Sequence, residues 1–358
     1  MPDSPPRLWV ANLDAEEAWR PGPRRALKRR VLDRIAAFGA LLSTRTGPGD
    51  ALWLPAPVDR GRLPLLDPGA ELLTAPPAEV LRRHRDFEVR PWAEAPPWVA
   101  GRRADAAARA NDRRFALELA RKLGVDDPRA SVIKDPADLR RWLDRWPELK
   151  SWVLKAPFSA SGRDRVVHAP PDPLDDPAPS PPNRSIDTLF HRHGELLVEP
   201  WHDRRLDLGV LFHTDAPDRP TIHRQRIGPG GAVEAIELTP EPVTPDPSPV
   251  FDIVEPVARA LRESGYSGPA GIDAWLHVDG GDSRWHALGE INARLSIGWL
   301  ARGAADRAFG DRRHVVLRVG DRAAFQNADG KSQQSLPLVL PTPSSPGLWL
   351  EAPAGPRS

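Results

Sequence analysis

A lysine at the end of an apolar run is the first side chain whose position indicates chemistry. Lys155 closes the segment VLK, residues 153–155, and a turn of small residues follows at 159–162. A lysine is costly to hold beside an apolar strand unless an anion pairs with it, and the amides of a small-residue turn approach phosphate oxygens closely. The segment predicts a phosphate-binding loop; the alternative is a solvated strand-end lysine followed by an ordinary turn.

Three polar side chains share one face of a second predicted strand. In HALGEINARLSIG, residues 286–298, the side chains of Glu290, Asn292 and Arg294 alternate with apolar ones. Asp273, in the apolar segment GIDAW, is expected to face them from a neighbouring strand. Two carboxylates and an amide oxygen are hard ligands suited to Mg²⁺. The pattern predicts a magnesium site, and the alternative is an exposed sheet face with a salt bridge between Glu290 and Arg294.

A bent connector lies between two further predicted strands in LLVEPWHDRRLDLGVLF, residues 196–212. One strand ends at Glu199, Pro200 bends the chain, and Trp201 and His202 follow before the next strand. Such a connector suits the lining of a pocket for a planar ring. Taken alone, the same pattern describes a hairpin.

The composition excludes several kinds of chemistry. The chain has no cysteine, which rules out disulfides, thiolate nucleophiles and cysteine-based metal sites. Lys plus Arg total 50 against 49 Asp plus Glu, so the net charge of +1 provides no global field to attract nucleic acid or a membrane. No apolar run approaches the length of a membrane span, and the first ten residues lack the pattern of a signal peptide. We therefore expect a cytoplasmic protein without nucleic-acid or membrane partners.

The length of 358 residues predicts more than one packed unit. We expect an N-terminal α/β domain over 1–105, a smaller unit over 106–195 that carries the small-residue loop and a proline-rich insert, a larger unit with the metal site over 196–325, and a Pro/Ser-rich tail over 326–358. Residues 105–123 are expected to form one long helix that ends at Gly124.

The order of these motifs resembles the ATP-grasp superfamily, which includes biotin carboxylase, glutathione synthetase and D-alanine:D-alanine ligase. The resemblance extends over about residues 110–303 and rests on VLKAP with its loop, LLVEPW, GIDAW and EINAR, in that order. It implies an α/β (α+β) fold class, with an ATP-grasp fold of a small and a large subdomain after an N-terminal α/β pre-grasp domain.

The resemblance implies which residues bind the phosphates of ATP. Lys155 matches the lysine that reaches them, and Arg113 falls where many members have a first lysine on the preceding helix. The flexible loop that closes over the phosphates corresponds to residues 159–163, in which the contact residues would be Ser159, Ser161, Gly162 and Arg163.

The adenine and ribose contacts are implied in the same way. Glu199 matches a residue near the exocyclic amine, Trp201 and His202 match residues that lend backbone groups, and Asp207 falls near a ribose-contacting position.

The magnesium ligands implied by the resemblance are Asp273, Glu290 and Asn292, the first of which is often Glu in relatives. Arg294 matches the arginine that steadies the transferred phosphate. Arg224 or Arg226 is a further candidate phosphate contact, and spacing does not choose between them.

The resemblance implies an ADP-forming carboxylate-amine ligase that uses ATP and Mg²⁺, with Mn²⁺ as an alternative ion, and Lys155 and Arg294 as its catalytic residues. A carboxylate would be activated as an acylphosphate and attacked by an amine. The partners would be a small-molecule acid and amine; the oligomeric state is open, with a homodimer among the options.

Three other functions compete with this one. The same ATP site serves kinases that phosphorylate an alcohol, and a degenerate copy of it would bind ATP without catalysis. A zinc site of His191, His193 and His202 is disfavoured, because histidines separated by one residue near a surface turn are usually solvated.

Overall fold

The described part of the chain forms three β-sheets connected by helices. The computed structural model describes residues 5–20, 22, 26–159, 164–169, 183–228, 233–238, 246–310, 314–321, 323–324, 334–343 and 345–352. Three expected loop residues, Ser161, Gly162 and Arg163, lie outside these ranges, as does most of the proline-rich insert. One sheet is parallel and two are antiparallel, which gives a mixed α/β architecture. In the described part of the chain, no helix has both the length and the apolar character that a membrane span needs.

The N-terminal unit is a parallel four-stranded sheet in the order β3-β2-β1-β4. Leu8, Val10 and Leu52 are fully buried, as expected for parallel strands covered on both faces. Its elements are β1 (Arg7–Val10), α1 (Glu16–Trp19), α2 (Arg29–Gly39), a 3-10 helix (Ala40–Arg45), β2 (Ala51–Trp53), a second 3-10 helix (Arg60–Arg62), β3 (Glu71–Leu73), α3 (Pro77–Arg83) and β4 (Glu88–Pro91).

The second unit is an antiparallel four-stranded sheet in the order β5-β8-β6-β7, under which Trp142 and Phe190 pack on Leu154 and Val198. The sequence-based boundary assigned residues from 196 onward to the larger unit; β8 instead pairs with β5 and β6, so the small sheet extends to Pro200. The elements are α4 (Arg102–Ala110), α5 (Arg113–Leu123), β5 (Ser131–Ile133), α6 (Pro136–Arg145), β6 (Trp152–Lys155), β7 (Arg165–His168), α7 (Asn183–His193) and β8 (Leu196–Pro200).

The third unit is an eight-stranded antiparallel sheet in the order β13-β12-β9-β10-β11-β14-β16-β15. Its last two strands come from the predicted tail, where the buried side chains of Leu348 and Leu350 pack into the core of the N-terminal unit. The elements are β9 (Asp203–His213), β10 (Ala216–Ile227), β11 (Val233–Leu238), α8 (Ser248–Phe251), α9 (Val254–Glu263), β12 (Pro269–Asp279), β13 (Asp282–Asn292), α10 (Ile297–Phe309), β14 (Val315–Gly320), β15 (Gln334–Val339) and β16 (Gly347–Ala352).

The expected single helix over 105–123 is two helices, α4 and α5, with a break at Asn111 and Asp112. Asp112 caps α5, because its carboxylate accepts a hydrogen bond from the backbone N–H of Arg114 at 2.8 Å. The side chain of Asn111 donates to the carbonyl of Ala293 at 3.1 Å and accepts from the N–H of the same residue at 3.1 Å. The break therefore fixes the start of α5 to the residue that follows β13.

Two apolar cores join the units. Helices α4, α5 and α9 pack on one face of the β12–β13 hairpin, and α10 with β11 and β14–β16 packs against the N-terminal unit. The second of these cores is continuous from Trp9 to Leu350, so the N-terminal unit is held against the large sheet by buried apolar surface.

Gly39 and Gly303 test how tightly α2 and α10 are packed. A methyl group on Gly39 would lie 2.4 Å from the Cβ atom of Ala11, whereas one on Gly303 would meet only the ends of the Arg45 and Arg307 side chains, at 3.3 and 3.8 Å. We expect Gly39→Ala to lower the free energy of unfolding by about 1–3 kcal/mol through overpacking. Gly303→Ala should be neutral or stabilising through its higher helix propensity. Thermal unfolding of both variants checks the difference, and equal midpoints would contradict it.

Candidate active site

Two carboxylates on adjacent strands form the centre of the candidate site. Asp273 on β12 lies directly opposite Glu290 on β13. Asn292 Nδ2 donates to Asp273 Oδ2 at 3.0 Å, and Gln225 Nε2 donates to Asp273 Oδ1 at 3.0 Å. Burial and the charge of Glu290 raise the pKa of Asp273 to about 6. The structure thus brings the three expected metal ligands together.

Arg113, the first residue of α5, neutralises Glu290. Its Nη2 atom donates to both oxygens of that carboxylate, at 3.0 and 2.9 Å. The same guanidinium donates to Ser159 Oγ at 2.7 Å, to the carbonyl of Ser159 at 2.9 Å and to that of Ala156 at 2.8 Å. Arg113 therefore ties the start of the small-residue loop to the carboxylate pair, and its position follows from the helix break at Asn111.

Arg294 connects this centre to the N-terminal unit. It donates to Asn292 Oδ1 at 2.6 Å and forms an ion pair with Glu16 of α1 at 3.0 Å. Glu290 is paired with Arg113, so the expected alternative, a salt bridge between Glu290 and Arg294, is wrong.

Lys155 lies at the end of β6 and forms an ion pair with Glu199 on the neighbouring β8. Burial lowers the pKa of Lys155. The same burial acts against the charge of Glu199, but the adjacent Lys155 holds the pKa of that carboxyl below its usual value. The two residues that the sequence assigned to phosphate and adenine contacts are therefore partners of each other here.

The indole ring of Trp275 fills the space between the small sheet and the β12–β13 hairpin. It lies over Gly289, where a built Cβ atom would come within 1.9 Å of the ring, and it stacks on His286 with ring centroids 4.0 Å apart. The Arg204 guanidinium is 3.8 Å from the ring centroid, and Lys155 Nζ is 5.6 Å from it. The cavity that remains beside Glu199 and His286 is about 20 Å³, room for about one water molecule. A planar ligand therefore needs Trp275 to turn or the two sheets to separate.

Trp275 and Gln225 are functional candidates that the sequence reasoning missed. Strand alternation was the available signal, since Trp275 lies two residues from Asp273. The same alternation places Arg224 and Arg226 on the opposite face of β10 from Gln225, and Arg226 pairs there with Glu237 at 2.5 Å. Neither arginine faces the carboxylate pair.

The connector after β8 is held by side chains from several elements. His202 Nε2 lies 3.1 Å from Asp127 Oδ2, and the His202 ring stacks on His277 with centroids 3.9 Å apart. Asp207 accepts from Arg204 at 3.0 Å and lies opposite Trp275 in the sheet. These contacts place His202 and Asp207 beside the cleft between the small sheet and the β12–β13 hairpin.

The rest of the connector and both ends of the small-residue loop are also anchored. The Trp201 ring has the guanidinium groups of Arg165 and Arg204 within 5.4 Å of its centroid. Arg20 donates to the carbonyl of Phe158 at 3.1 and 3.2 Å and forms an ion pair with Asp164. Arg20 is a contribution of the N-terminal unit that no motif in the sequence indicated.

No histidine zinc site is formed among the described residues. His202 is engaged with Asp127, and this part of the chain contains no cluster of three or more His, Asp or Glu side chains arranged to hold a metal ion. The candidate magnesium ligands are two carboxylates and one amide, a set of a different kind.

Comparison with known proteins identifies the fold. The chain matches no protein-family model and no curated protein. It is similar to the N5-carboxyaminoimidazole ribonucleotide synthetase of Thermus thermophilus over 97% of this chain and 93% of that one, with a TM-score of 0.57 and 15% identity. The Staphylococcus aureus N5-carboxyaminoimidazole synthetase complexed with ADP is similar over 98% of this chain and 94% of that one, with a TM-score of 0.59 and 8% identity. A biotin carboxylase-beta-gamma-ATP complex from Campylobacter jejuni is similar over 98% of this chain and 87% of that one, with a TM-score of 0.58 and 11% identity. The chain has the ATP-grasp fold.

The similarity to these structures extends over nearly the whole chain and so includes the N-terminal unit, which lies outside the 110–303 range of the sequence resemblance. The fold class expected from the order of the motifs is therefore confirmed. The identities of 8–15% carry the fold alone, so the chemistry of this chain must be argued from its own residues.

Buried histidines make the stability of this chain depend on pH. Burial lowers the pKa of His223 and of His286 to about 4. An unfolded histidine titrates near 6.5, so between these values the unfolded chain binds more protons than the folded one, and stability falls as the pH decreases from 6.5 towards 4. At pH 5 the loss is about 2 kcal/mol for each histidine.

His223→Gln removes one of these two titrations. We expect the unfolding midpoint of the wild type to fall between pH 7.5 and pH 5, and that of the variant to fall less, since glutamine binds no proton in either state. His191→Gln on the exposed side of α7 is the control and should keep the wild-type decrease. Thermal unfolding at the two pH values measures both; the same decrease in His223→Gln and wild type would be the contrary result.

Proposed function

We propose that this chain is an ATP- and magnesium-dependent ligase that activates a carboxylate as an acylphosphate for attack by an amine. One observation carries the proposal: cations from the small-sheet side and oxygen ligands from the large sheet converge on one cleft. Lys155 and Arg113 supply the cations, and Asp273 and Glu290 supply carboxylate oxygens. The amide oxygen of Asn292, which here accepts from Arg294 at 2.6 Å, would turn to the ion as the third ligand. Phosphoryl transfer needs this combination, because negative charge spreads over the transferred group in its transition state.

The donor set fits a magnesium ion. Two part-buried carboxylates lie side by side, and the raised pKa of Asp273 is the mark of negative charge that the protein alone leaves incompletely neutralised. Glu290 already holds a cation, the guanidinium of Arg113. Asp273, Glu290 and Asn292 would hold the ion, which when bound would neutralise charge on the phosphate oxygens.

The charged residues of the cleft are assigned to the steps of the proposed reaction. Lys155 and Arg113 would bind the phosphates of ATP, and Arg294 would hold the transferred phosphoryl group against the acid. A carboxylate oxygen of the acid forms a bond to the γ-phosphorus as the bond to ADP breaks, which gives the acylphosphate and ADP. An amine then attacks the acyl carbon, phosphate leaves with the bonding electrons, and the nitrogen loses a proton. No side-chain nucleophile is needed, in agreement with the absence of cysteine.

Protection of the acylphosphate from water is the remaining requirement, because it hydrolyses in an open site. Arg20 and Arg113 anchor the ends of the small-residue loop through Phe158, Ser159 and Asp164. Such anchoring supports a role of this loop as a cover of the cleft.

The names of the similar structures agree with the proposal, although the likeness itself shows the fold alone. Two of them are named as synthetases of N5-carboxyaminoimidazole compounds, one is a biotin carboxylase with bound ATP, and another is the phosphoribosylamine–glycine ligase of Thermotoga maritima, at a TM-score of 0.52 and 12% identity. Trapping with hydroxylamine separates a ligase from a kinase on the same fold, since hydroxylamine converts an acylphosphate to a hydroxamate and leaves a phosphate ester intact.

Lys155→Met tests the phosphate contact. We expect nucleotide affinity to fall at least about tenfold, because a charge-assisted contact to phosphate is lost. Calorimetric titration with Mg-ATP measures it, with the exposed Lys134→Met as control. Lys155→Met leaves Glu199 without its partner, so Lys155→Met/Glu199→Gln restores charge balance and guards against misfolding. Wild-type affinity in both Lys155 variants would refute the contact.

Glu290→Gln tests the metal site. The substitution keeps the shape of the side chain and removes one negative charge, so the magnesium concentration at half-maximal ADP release should rise about tenfold or more. ADP release over a magnesium series is the measurement, and Glu118→Gln on the exposed face of α5 is the matched control. A magnesium curve identical to that of the wild type would mean that Glu290 serves only as the partner of Arg113.

A further inference from the structure

A second, much larger cavity lies between the N-terminal unit and the large sheet. Its volume is about 580 Å³, within the range of small-molecule sites. Strand ends of the parallel sheet, the start of β12 and the start of α10 line it. Arg294 also lines it, and because Arg294 donates to Asn292, the cavity adjoins the candidate metal site.

The lining of this cavity has more positive than negative charge. Five arginines line it: Arg7, Arg45, Arg90, Arg103 and Arg294. Their direct ion pairs involve three carboxylates. Glu88 pairs with Arg7 at 3.8 Å and with Arg90 at 2.5 Å, Glu94 pairs with Arg103, and Glu16 pairs with Arg294 at 3.0 Å. Arg7 and Arg90 thus share one carboxylate and Arg45 pairs with none of the three; the only further carboxylate described at the wall, that of Asp50, accepts from Trp9.

Arg45 is the arginine of this cavity without a carboxylate partner among the described residues. Its guanidinium lies over the ring of Trp9, 5.7 Å from the centroid, and its charged neighbours are Arg7 and Arg307. Partial burial and two like charges make this position unfavourable for a cation. An anion from outside the chain would relieve both costs.

The walls between these arginines are aromatic. Trp9, Trp92, Trp299 and Tyr266 line the cavity, and the polar atoms of three of these rings are already satisfied. Trp9 Nε1 donates to Asp50 at 3.1 Å, Trp299 Nε1 donates to the carbonyl of Ala270 at 3.2 Å, and the Tyr266 hydroxyl donates to that of Pro269 at 2.6 Å. The rings are left to offer flat apolar surface to a ligand.

We propose that this cavity binds the acid substrate, and that the acid is a planar, aromatic molecule with a second anionic group besides the carboxylate that is activated. The inference rests on the ligase function proposed above. The reacting carboxylate lies at Arg294, next to the metal ligands, and Arg45 binds the second anionic group. The unpaired charge of Arg45 matches the second anionic group, and the aromatic walls match a flat body.

Matched pairs of acids test this proposal. Benzene-1,4-dicarboxylate and naphthalene-2,6-dicarboxylate are the dianions, benzoate and 2-naphthoate are the corresponding monoanions, and succinate is a dianion without a ring. Calorimetric titration of each acid into the full chain should show at least one aromatic dianion that binds about tenfold or more tightly than its monoanion and than succinate. No preference for either dianion would overturn the proposal, and equal binding of succinate would overturn its aromatic part.

Arg45→Gln should reduce the preference for the dianion to about threefold or less, and Arg45→Lys should retain most of it. Arg34→Gln is the matched control, because Arg34 also lies over an aromatic ring, 5.8 Å from the centroid of Phe38, but outside the cavity. An unchanged preference in Arg45→Gln would overturn the assignment. If Arg45→Gln and Arg45→Lys both lose the preference for the dianion while their unfolding midpoints stay normal, shape rather than charge is recognised. That result also overturns the assignment of Arg45.

The outcome is distinguishable from a failure of the ligase proposal. Binding of Mg-ATP to Arg45→Gln should equal that of the wild type, because Arg45 is no part of the nucleotide site. An Arg45-dependent preference for dianions without any acid-dependent ADP release would keep the assignment of the cavity and refute the ligase. Mg-ATP binding together with ADP release that only monoanionic acids support would keep the ligase and refute the assignment of the cavity.

Discussion

The close placement of Asp273 and Glu290 on neighbouring strands is the constraint on which the rest of the site depends. Two carboxylates that lie side by side on one face of a sheet repel, and burial raises the cost of that repulsion. Each is therefore compensated from a different part of the chain. Glu290 receives Arg113 from α5, and Asp273 receives amide donors from Asn292 and Gln225. A divalent cation would replace this partial compensation with a full one.

The need for compensation explains local features that otherwise look incidental. The break between α4 and α5 places Arg113 at a helix start, and Asn111 fastens that start to the backbone after β13. Arg294 continues the row of polar residues and reaches Glu16, so the N-terminal unit takes part in the site as well as in the apolar core. The contacts that build the site thus also hold the three units together.

The cleft and the large cavity differ in how far their cations are paired with carboxylates and in how much space is open. In the cleft, cations meet carboxylates of the chain or lie over Trp275, and the remaining space is about 20 Å³. In the cavity, the arginines outnumber their partners and about 580 Å³ is open. The proposed nucleotide side is therefore neutralised internally and must rearrange to bind, whereas the proposed acid side has room and charge for an anion. Arg294 donates to Asn292 at the cleft and also lines the cavity.

The sequence alone determined the elements whose pattern is local. Strand alternation and motif order gave the polar face of Glu290 and Asn292, the strand-end Lys155 and the fold class, because these depend on neighbouring residues and on the order of segments. The tertiary structure decided what depends on distant partners. Arg113 meets Glu290 across 177 positions, and β14 joins the large sheet by pairing with β11, although β12, β13 and three helices lie between them in the chain. The same holds for the arginine cavity, since its surplus charge exists only where packing brings residues of the first and last thirds of the chain together without enough carboxylates to match.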